Sequence, residues 1–172
     1  MTESNTMKIR GRVWKYGDDV NTDVIFPGKY TYTISEPSEM AEHALEDLDP
    51  EFAGNVSEGD IIAAGKNWGC GSSREQAVIC LVAAGVGAVV VRSCARIYYR
   101  NAINNGLPVF VSEKAAEALE EGETAEIDLE NGLLYTSGQE IALPQFPESV
   151  LKIMEAGGLL PYVRERLKGE KE

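Results

Sequence analysis

The sequence predicts an α/β fold in which a parallel β-α-β core is followed by a small antiparallel meander. Three observations carry that prediction. Residues 60–91 read as strand, glycine loop, buried helix and strand. Ala88 to Val91 is an unbroken apolar run, as a parallel strand covered on both faces requires. In the last third, Asn131-Gly132 separates two strand-like segments, a tight-hairpin signal.

Taken in order, Lys8 to Lys15 alternates in strand fashion and leads into the polar, turn-rich Tyr16 to Thr22. Val24-Ile25-Phe26, closed by Pro27-Gly28, reads as a short strand. Gly28 to Pro37 then connects to a helix whose Ala41, Ala44, Leu45 and Leu48 recur at half-buried helical spacing. Asp60 to Ala64 is a strand that enters the loop Gly65 to Gly71, and Arg74 to Ala84 is a buried helix broken by Gly85-Val86-Gly87. Ala95, Tyr98, Tyr99, Ala102 and Ile103 mark the next helix, with Gly106 placed as its C-cap glycine, and Leu107 to Val111 is another strand. Thr124 to Leu129, Leu133 to Thr136 and Glu140 to Leu143 make the meander. Val150, Ile153 and Met154 lie on one more helix, ended by Gly157-Gly158, and Pro161 opens a final charged helix that frays.

With 172 residues and 44% apolar side chains, the chain has material for one self-sufficient domain spanning 1–172. Residues 1–6 are expected to be disordered and 163–172 to form a charged tail. Its net charge of −12 works against nucleic-acid binding, which needs a basic stripe to displace phosphate counterions. A single histidine, His43, and three cysteines without zinc-type spacing argue against a metal site held by this chain alone. The polar opening Met1 to Thr6 is unlike a signal peptide, no apolar run approaches the ~20 residues of a membrane span, and the cysteine count is odd. The expected location is the cytoplasm.

The most informative stretch is Gly69-Cys70-Gly71-Ser72-Ser73-Arg74-Glu75, between a strand and a helix. It lacks the lysine of a Walker loop, the third glycine of a dinucleotide fingerprint and the second glycine of a nucleophile elbow. Ser72-x-x-Glu75 has the spacing of a capping box. A cap leaves unexplained the second serine, the arginine in the first turn and two glycines that let a ligand approach the backbone. An anion accounts for the arginine, and a carboxylate matches its planar fork. Ser72, at the start of a helix beside a guanidinium, is a candidate base toward a C–H next to a carboxylate. The electrophile such chemistry requires has no counterpart in this sequence.

The segments Gly11-Arg-Val-Trp14, Asn21 to Gly28, Gly69 to Glu75, Ser93 to Asn101 and Glu155 to Gly158 resemble, in order and spacing, the small subunits of 3-isopropylmalate dehydratase and homoaconitase-like relatives. These correspond to the swivelling domain of aconitase. The resemblance implies a three-layer β/β/α swivelling fold and a large catalytic subunit that carries a [4Fe-4S] cluster on its own cysteines, with a small substituted malate as substrate. It implies catalytic roles for Ser72, which removes the proton from carbon, and Asp23, which supports the site by pairing with a group on the large subunit. Ser73 and Arg74 hold a substrate carboxylate. Cys70 is not expected to ligate the cluster. Tyr98, Tyr99 and Trp14 read as core or interface, Arg96 and Arg100 as fixed by local pairing, and His43 as an ordinary surface residue. Self-association of the isolated chain stays open.

In this family the loop after the first short segment reads the substituent that distinguishes one hydroxy diacid from another; here it is Tyr30-Thr31-Tyr32-Thr33. A neutral aromatic at Tyr32, where relatives that accept an extra carboxylate place an arginine, favours isopropyl or methyl. The expected reaction is the isomerisation of 2-isopropylmalate to 3-isopropylmalate in leucine biosynthesis. Thr31 departs from the leucine usual in isopropylmalate enzymes and leaves a 2,3-dimethylmalate-type dehydratase open, with a homoaconitate-type dehydratase as a further alternative. The rival from another class is a stand-alone anion-binding regulatory module.

Overall fold

The β1 strand (Lys8–Lys15) divides a seven-stranded sheet into two unlike halves. This computed structural model describes residues 7–170. On one side β1 pairs in parallel with β2 (Ile61–Ala64), followed outward by β3 (Ala88–Val91) and β4 (Val109–Val111) in the same sense. On the other side it pairs antiparallel with β5 (Thr124–Asp128), then β6 (Leu133–Thr136) and β7 (Gln139–Ala142).

The parallel strands are apolar on both faces, and each face has its own core. Ile62, Ala64, Val89 and Val91 point into a helical layer. That layer comprises α1 (Thr22–Ile25), α2 (Pro37–Glu42), α3 (Phe52–Asn55), α4 (Gln76–Ala84) and α5 (Arg96–Asn104), filled by side chains such as Phe26, Leu45, Phe52 and Leu81. Ile61, Ala63, Ala88 and Val90 point the other way, against Ile127, Leu134 and Ile141 of the meander and against α6 (Glu113–Ala118). The sheet therefore folds over itself, and the order is meander, parallel sheet, helices: the expected three-layer β/β/α fold. Two further helices, α7 (Glu148–Glu155) and α8 (Leu159–Gly169), follow the meander.

Trp14 is core as expected, edge-on to Phe52, and its indole N–H reaches the buried Asp60 carboxylate at 2.9 Å. Asp60 also accepts from the amides of Arg12 and Ser57, which fixes the entry to β2.

Several local expectations fail, each for a visible reason. Val24-Ile25-Phe26 is no strand, because the Asn21 side chain accepts from the Val24 amide and caps the helical turn α1. The helix expected through Leu48 stops at Glu42, and Leu45 adopts a left-handed φ of 56° while its amide bonds to the Ile25 carbonyl. In the hairpin at Asn131-Gly132, pairing ends at Asp128↔Leu133, which leaves a four-residue loop with only Gly132 at positive φ. The two-residue turn is instead Ser137-Gly138, both at positive φ between Thr136 and Gln139, as a primed turn requires. The last helix begins at Leu159, before Pro161, and runs through Gly169 across most of the expected tail. Residues 1–6 and 171–172 lie outside the described residues.

Candidate active site

Because β1, β2 and β3 are parallel, the loops that leave them emerge at one edge of the sheet. Backbone hydrogen bonds join those loops. The Gly69 amide donates to the Val20 carbonyl (2.8 Å), Thr22 N–H to Cys70 O (2.9 Å) and Thr22 Oγ1 to Ser72 O (2.9 Å). The Ala95 amide donates to Trp68 O (2.9 Å) and Trp68 N–H to Ser93 O (3.1 Å), which brings in the third loop. Gly69 is obligatory here: φ is +73°, and a Cβ would stand 2.3 Å from the Tyr98 ring. Tyr98 is buried beneath it, its phenol raised well above the usual range by that burial, and donates to Ala77 O.

Between the loops lies a cavity of about 300 Å³. Thr22, Gly71, Ser72, Ser73 and Arg74 form one wall, and Ala95 to Tyr98 with Asn101 form the other. The second wall is the first turn of α5, whose amides have no helical acceptor and whose N-cap, Ala95, offers no side chain. The helix N-terminus at this cavity thus belongs to α5. The capping-box reading of Ser72 and the placement of Ser72 and Arg74 at the start of the following helix are overturned. That helix, α4, begins only at Gln76, and Glu75 stands at its N-cap without a side-chain bond. Ser72 and Ser73 are exposed in the loop ahead of it, and among the described residues their amides donate to no backbone carbonyl.

The Arg74 side chain is 13% exposed and held by three partners. Nη2 donates to Asp23 Oδ1 (2.7 Å) and Phe26 O (2.9 Å), and Nη1 to Thr31 Oγ1 (2.8 Å). Three of the five guanidinium donors are engaged, and Nε–H is buried without an acceptor. Asp23, on α1, therefore has a partner within the chain.

The structure divides the loop Tyr30 to Thr33. Thr31 is fixed twice, by Arg74 and by Gln76 Nε2, which donates to its carbonyl at 2.9 Å. Tyr30 turns inward: it packs on His43 at 4.1 Å between ring centroids, and its hydroxyl donates to Glu46 Oε1. His43 is correspondingly half-buried and paired with Glu46 at 2.9 Å, so it is not an ordinary surface residue. Tyr32 is 98% exposed at the loop tip, and Thr33 is exposed beside it.

Sequence reasoning overlooked the α5 wall. Arg96 and Arg100, expected to be fixed by local pairing, have no carboxylate partner among the described residues. The signal lay in Cys94-Ala-Arg-Ile97, where a cation and an exposed isoleucine open a helix without a polar cap.

The cysteines are free and dispersed. Cys80 is buried in α4, its thiol pushed far up by desolvation, and Cys94 is likewise pushed up to about 12 by burial. Cys70 sits in the glycine loop. Among the described residues no three His, Cys, Asp or Glu side chains converge, so the donor set of this chain does not fit an iron–sulfur cluster. No helix of the described residues is long and apolar enough to cross a membrane.

The chain is similar in sequence and fold to known proteins. The profile of the aconitase C-terminal domain matches residues 18–114. The 3-isopropylmalate dehydratase small subunit of Caldicellulosiruptor bescii is 50% identical over 164 residues, covering 94% of this chain and 98% of the relative. That of Aquifex aeolicus is 49% identical, covering 94% and 97%. The crystal structure of 3-isopropylmalate dehydratase (LeuD) from Methanocaldococcus jannaschii superposes with a TM-score of 0.87 at 40% identity, covering 96% of this chain and 99% of that one. The chain belongs to the aconitase C-terminal domain family and, within it, to the 3-isopropylmalate dehydratase small subunits.

Proposed function

We infer that this chain is the small subunit of a 3-isopropylmalate dehydratase. With a large subunit it interconverts 2-isopropylmalate and 3-isopropylmalate by dehydration and rehydration, a step of leucine biosynthesis. The observation that carries the reading is the cavity in which Ser72, Ser73 and Arg74 face the uncapped first turn of α5. Three free thiols accord with a reducing, cytoplasmic setting.

Elimination of water across two carbons next to carboxylates requires a base for the C–H proton, fixed positive charge for the carboxylates and a Lewis acid to take the departing hydroxide, which a cluster on the large subunit would supply. Ser72 supplies the base. Ser72 lines the same cavity as the uncapped first turn of α5, whose positive end favours an ionised hydroxyl nearby. Ser73 and Arg74 hold a substrate carboxylate with a hydroxyl and the Nη1 donor that the chain leaves free. Asp23 is a positioning residue: Oδ1 holds Arg74, while the side chain, 67% exposed, keeps Oδ2 available to a donor on the large subunit.

The enzyme class is an iron–sulfur hydro-lyase. The cysteines here do not fit a cluster, so we assign the [4Fe-4S] group to the large subunit. The segment Tyr30 to Thr33 borders Arg74 through Thr31 and offers the neutral, exposed Tyr32. A neutral aromatic suits an isopropyl substituent better than a further carboxylate, which would need a cation there.

The test is Ser72→Ala assayed with the large subunit under anaerobic conditions. Turnover falls about 10²- to 10⁴-fold, while melting temperature and subunit association stay at wild-type values. Near-normal turnover removes Ser72 from the role of base.

A further inference from the structure

A second cavity, of about 350 Å³, lies beside the first and is lined by Cys94, Arg96, Tyr99, Arg100 and Val111. Arg96 borders both cavities. Val111 at this cavity is 42% exposed, and Ile97, which lines the first cavity, is 54% exposed. Cys94 beneath it is an uncharged thiol, since burial pushes its pKa up to about 12.

The charges here are arranged unfavourably for a free chain. Arg96 and Arg100 stand one helical turn apart, an i,i+4 pair of like charge, and Arg96 occupies the first position of α5, where the helix dipole repels a cation. Some cations of this acidic molecule pair with carboxylates, as in Lys8 with Glu126, Arg12 with Glu121 and Arg92 with Glu113. Arg96 and Arg100 are among the cations with no carboxylate partner in the described residues, and they are the ones that stand beside this cavity. Arginine beside exposed aliphatic and aromatic surface is the composition of an interface core.

Resting on the reading that this chain works with a large subunit, we propose that the outer face of α5 is where that subunit docks. It presents an apolar side chain flanked by carboxylates to Ile97, Val111, Arg96 and Arg100. Continuity selects this occupant: through Arg96 the face joins the cavity that the large subunit must close, and it carries two cations on a chain of net charge −12.

The experiment titrates full-length small subunit, wild type, Arg100→Gln and Arg100→Glu, with cluster-loaded large subunit, and reads the half-saturating concentration and kcat at saturation. Arg100→Glu raises the half-saturating concentration by about tenfold or more and Arg100→Gln by less, with kcat retained. The wild-type value weakens with added salt more steeply than the variants'. Both variants melt at or above the wild-type temperature, because a like-charge pair has been relieved, so weaker association is not misfolding. Half-saturation within about twofold of wild type overturns the proposal. So does a change confined to self-association of the free chain, which would assign the face to a second copy. If wild-type chain neither binds nor activates with the large subunit, the small-subunit reading itself falls and takes this surface with it.

Discussion

Asp23 and Arg74 close a 2.7 Å ion pair between the helical turn that follows β1 and the glycine loop that follows β2. Phe26 O and Thr31 Oγ1 complete the hold, so the guanidinium arrives at the cavity with its plane already set. A planar donor set gains specificity from this in a way that a freely rotating one does not.

The first prediction concerns that pair. Asp23→Asn leaves stability within about 1 kcal/mol, since an ion pair with one exposed partner contributes little. Catalysis suffers more: with Arg74 loosened, kcat/KM falls by up to about 10²-fold, chiefly through KM, and Asp23→Glu recovers part of it. Steady-state kinetics with 3-isopropylmalate decide the point; an equal loss in kcat with unchanged KM would falsify the positioning role.

Gly69 gives a second. An alanine there needs a left-handed φ and places its Cβ 2.3 Å from the Tyr98 ring, against a side chain packed in the core. Gly69→Ala is expected to lose about 1–3 kcal/mol and to displace the loop carrying Ser72. Urea denaturation reads the first effect and turnover the second. A variant as stable as wild type would mean that the close approach to Tyr98 is relieved without cost.

The third is a pH effect at the other end of the sheet. Asp128 accepts from the side chain and the backbone amide of Asn131, which hold its carboxyl below the usual carboxylate range. A carboxyl depressed in the folded state adds stability above its unfolded pKa of about 3.9. That stability is lost as pH falls through the folded value. Asn131→Ala should therefore lower the urea midpoint at neutral pH and differ progressively less from wild type as the medium is acidified. A difference that stays constant from neutral pH down to about pH 2 would show that the Asp128 bond does not carry it.

Much of this fold is legible in the sequence because its strongest signals are local. The unbroken Ala88 to Val91 and the glycine breaks around it specify a strand between two cores, and both cores are present. Val24-Ile25-Phe26 misleads because three apolar residues suit a strand or a turn of helix equally, and the Asn21 cap is a weaker signal than the run it precedes. The helix at Glu113–Ala118 passes unnoticed for the same reason: its cap, Ser112 accepting from the Ala115 amide, is a single residue ahead of a short alanine-rich stretch. For the site, Ser72, Ser73 and Arg74 stand out in the sequence as candidates, and the structure places them on one wall of the cavity, while the opposite wall is not legible. Ala95 to Asn101 reaches Ser72 only through the parallel register of β2 and β3, and the Asp23–Arg74 bond joins residues 51 positions apart. No periodicity encodes such distances.

The parallel register has a consequence for how the assembled enzyme forms. Three strands deliver their exits to one edge, and cross-loop bonds from Gly69, Thr22 and Ala95 knit those exits together within a single polypeptide. The entropy of arranging these loops is thus spent during folding of this chain. A second subunit meets loops already joined to one another, and more of the free energy of encounter remains available for residence time.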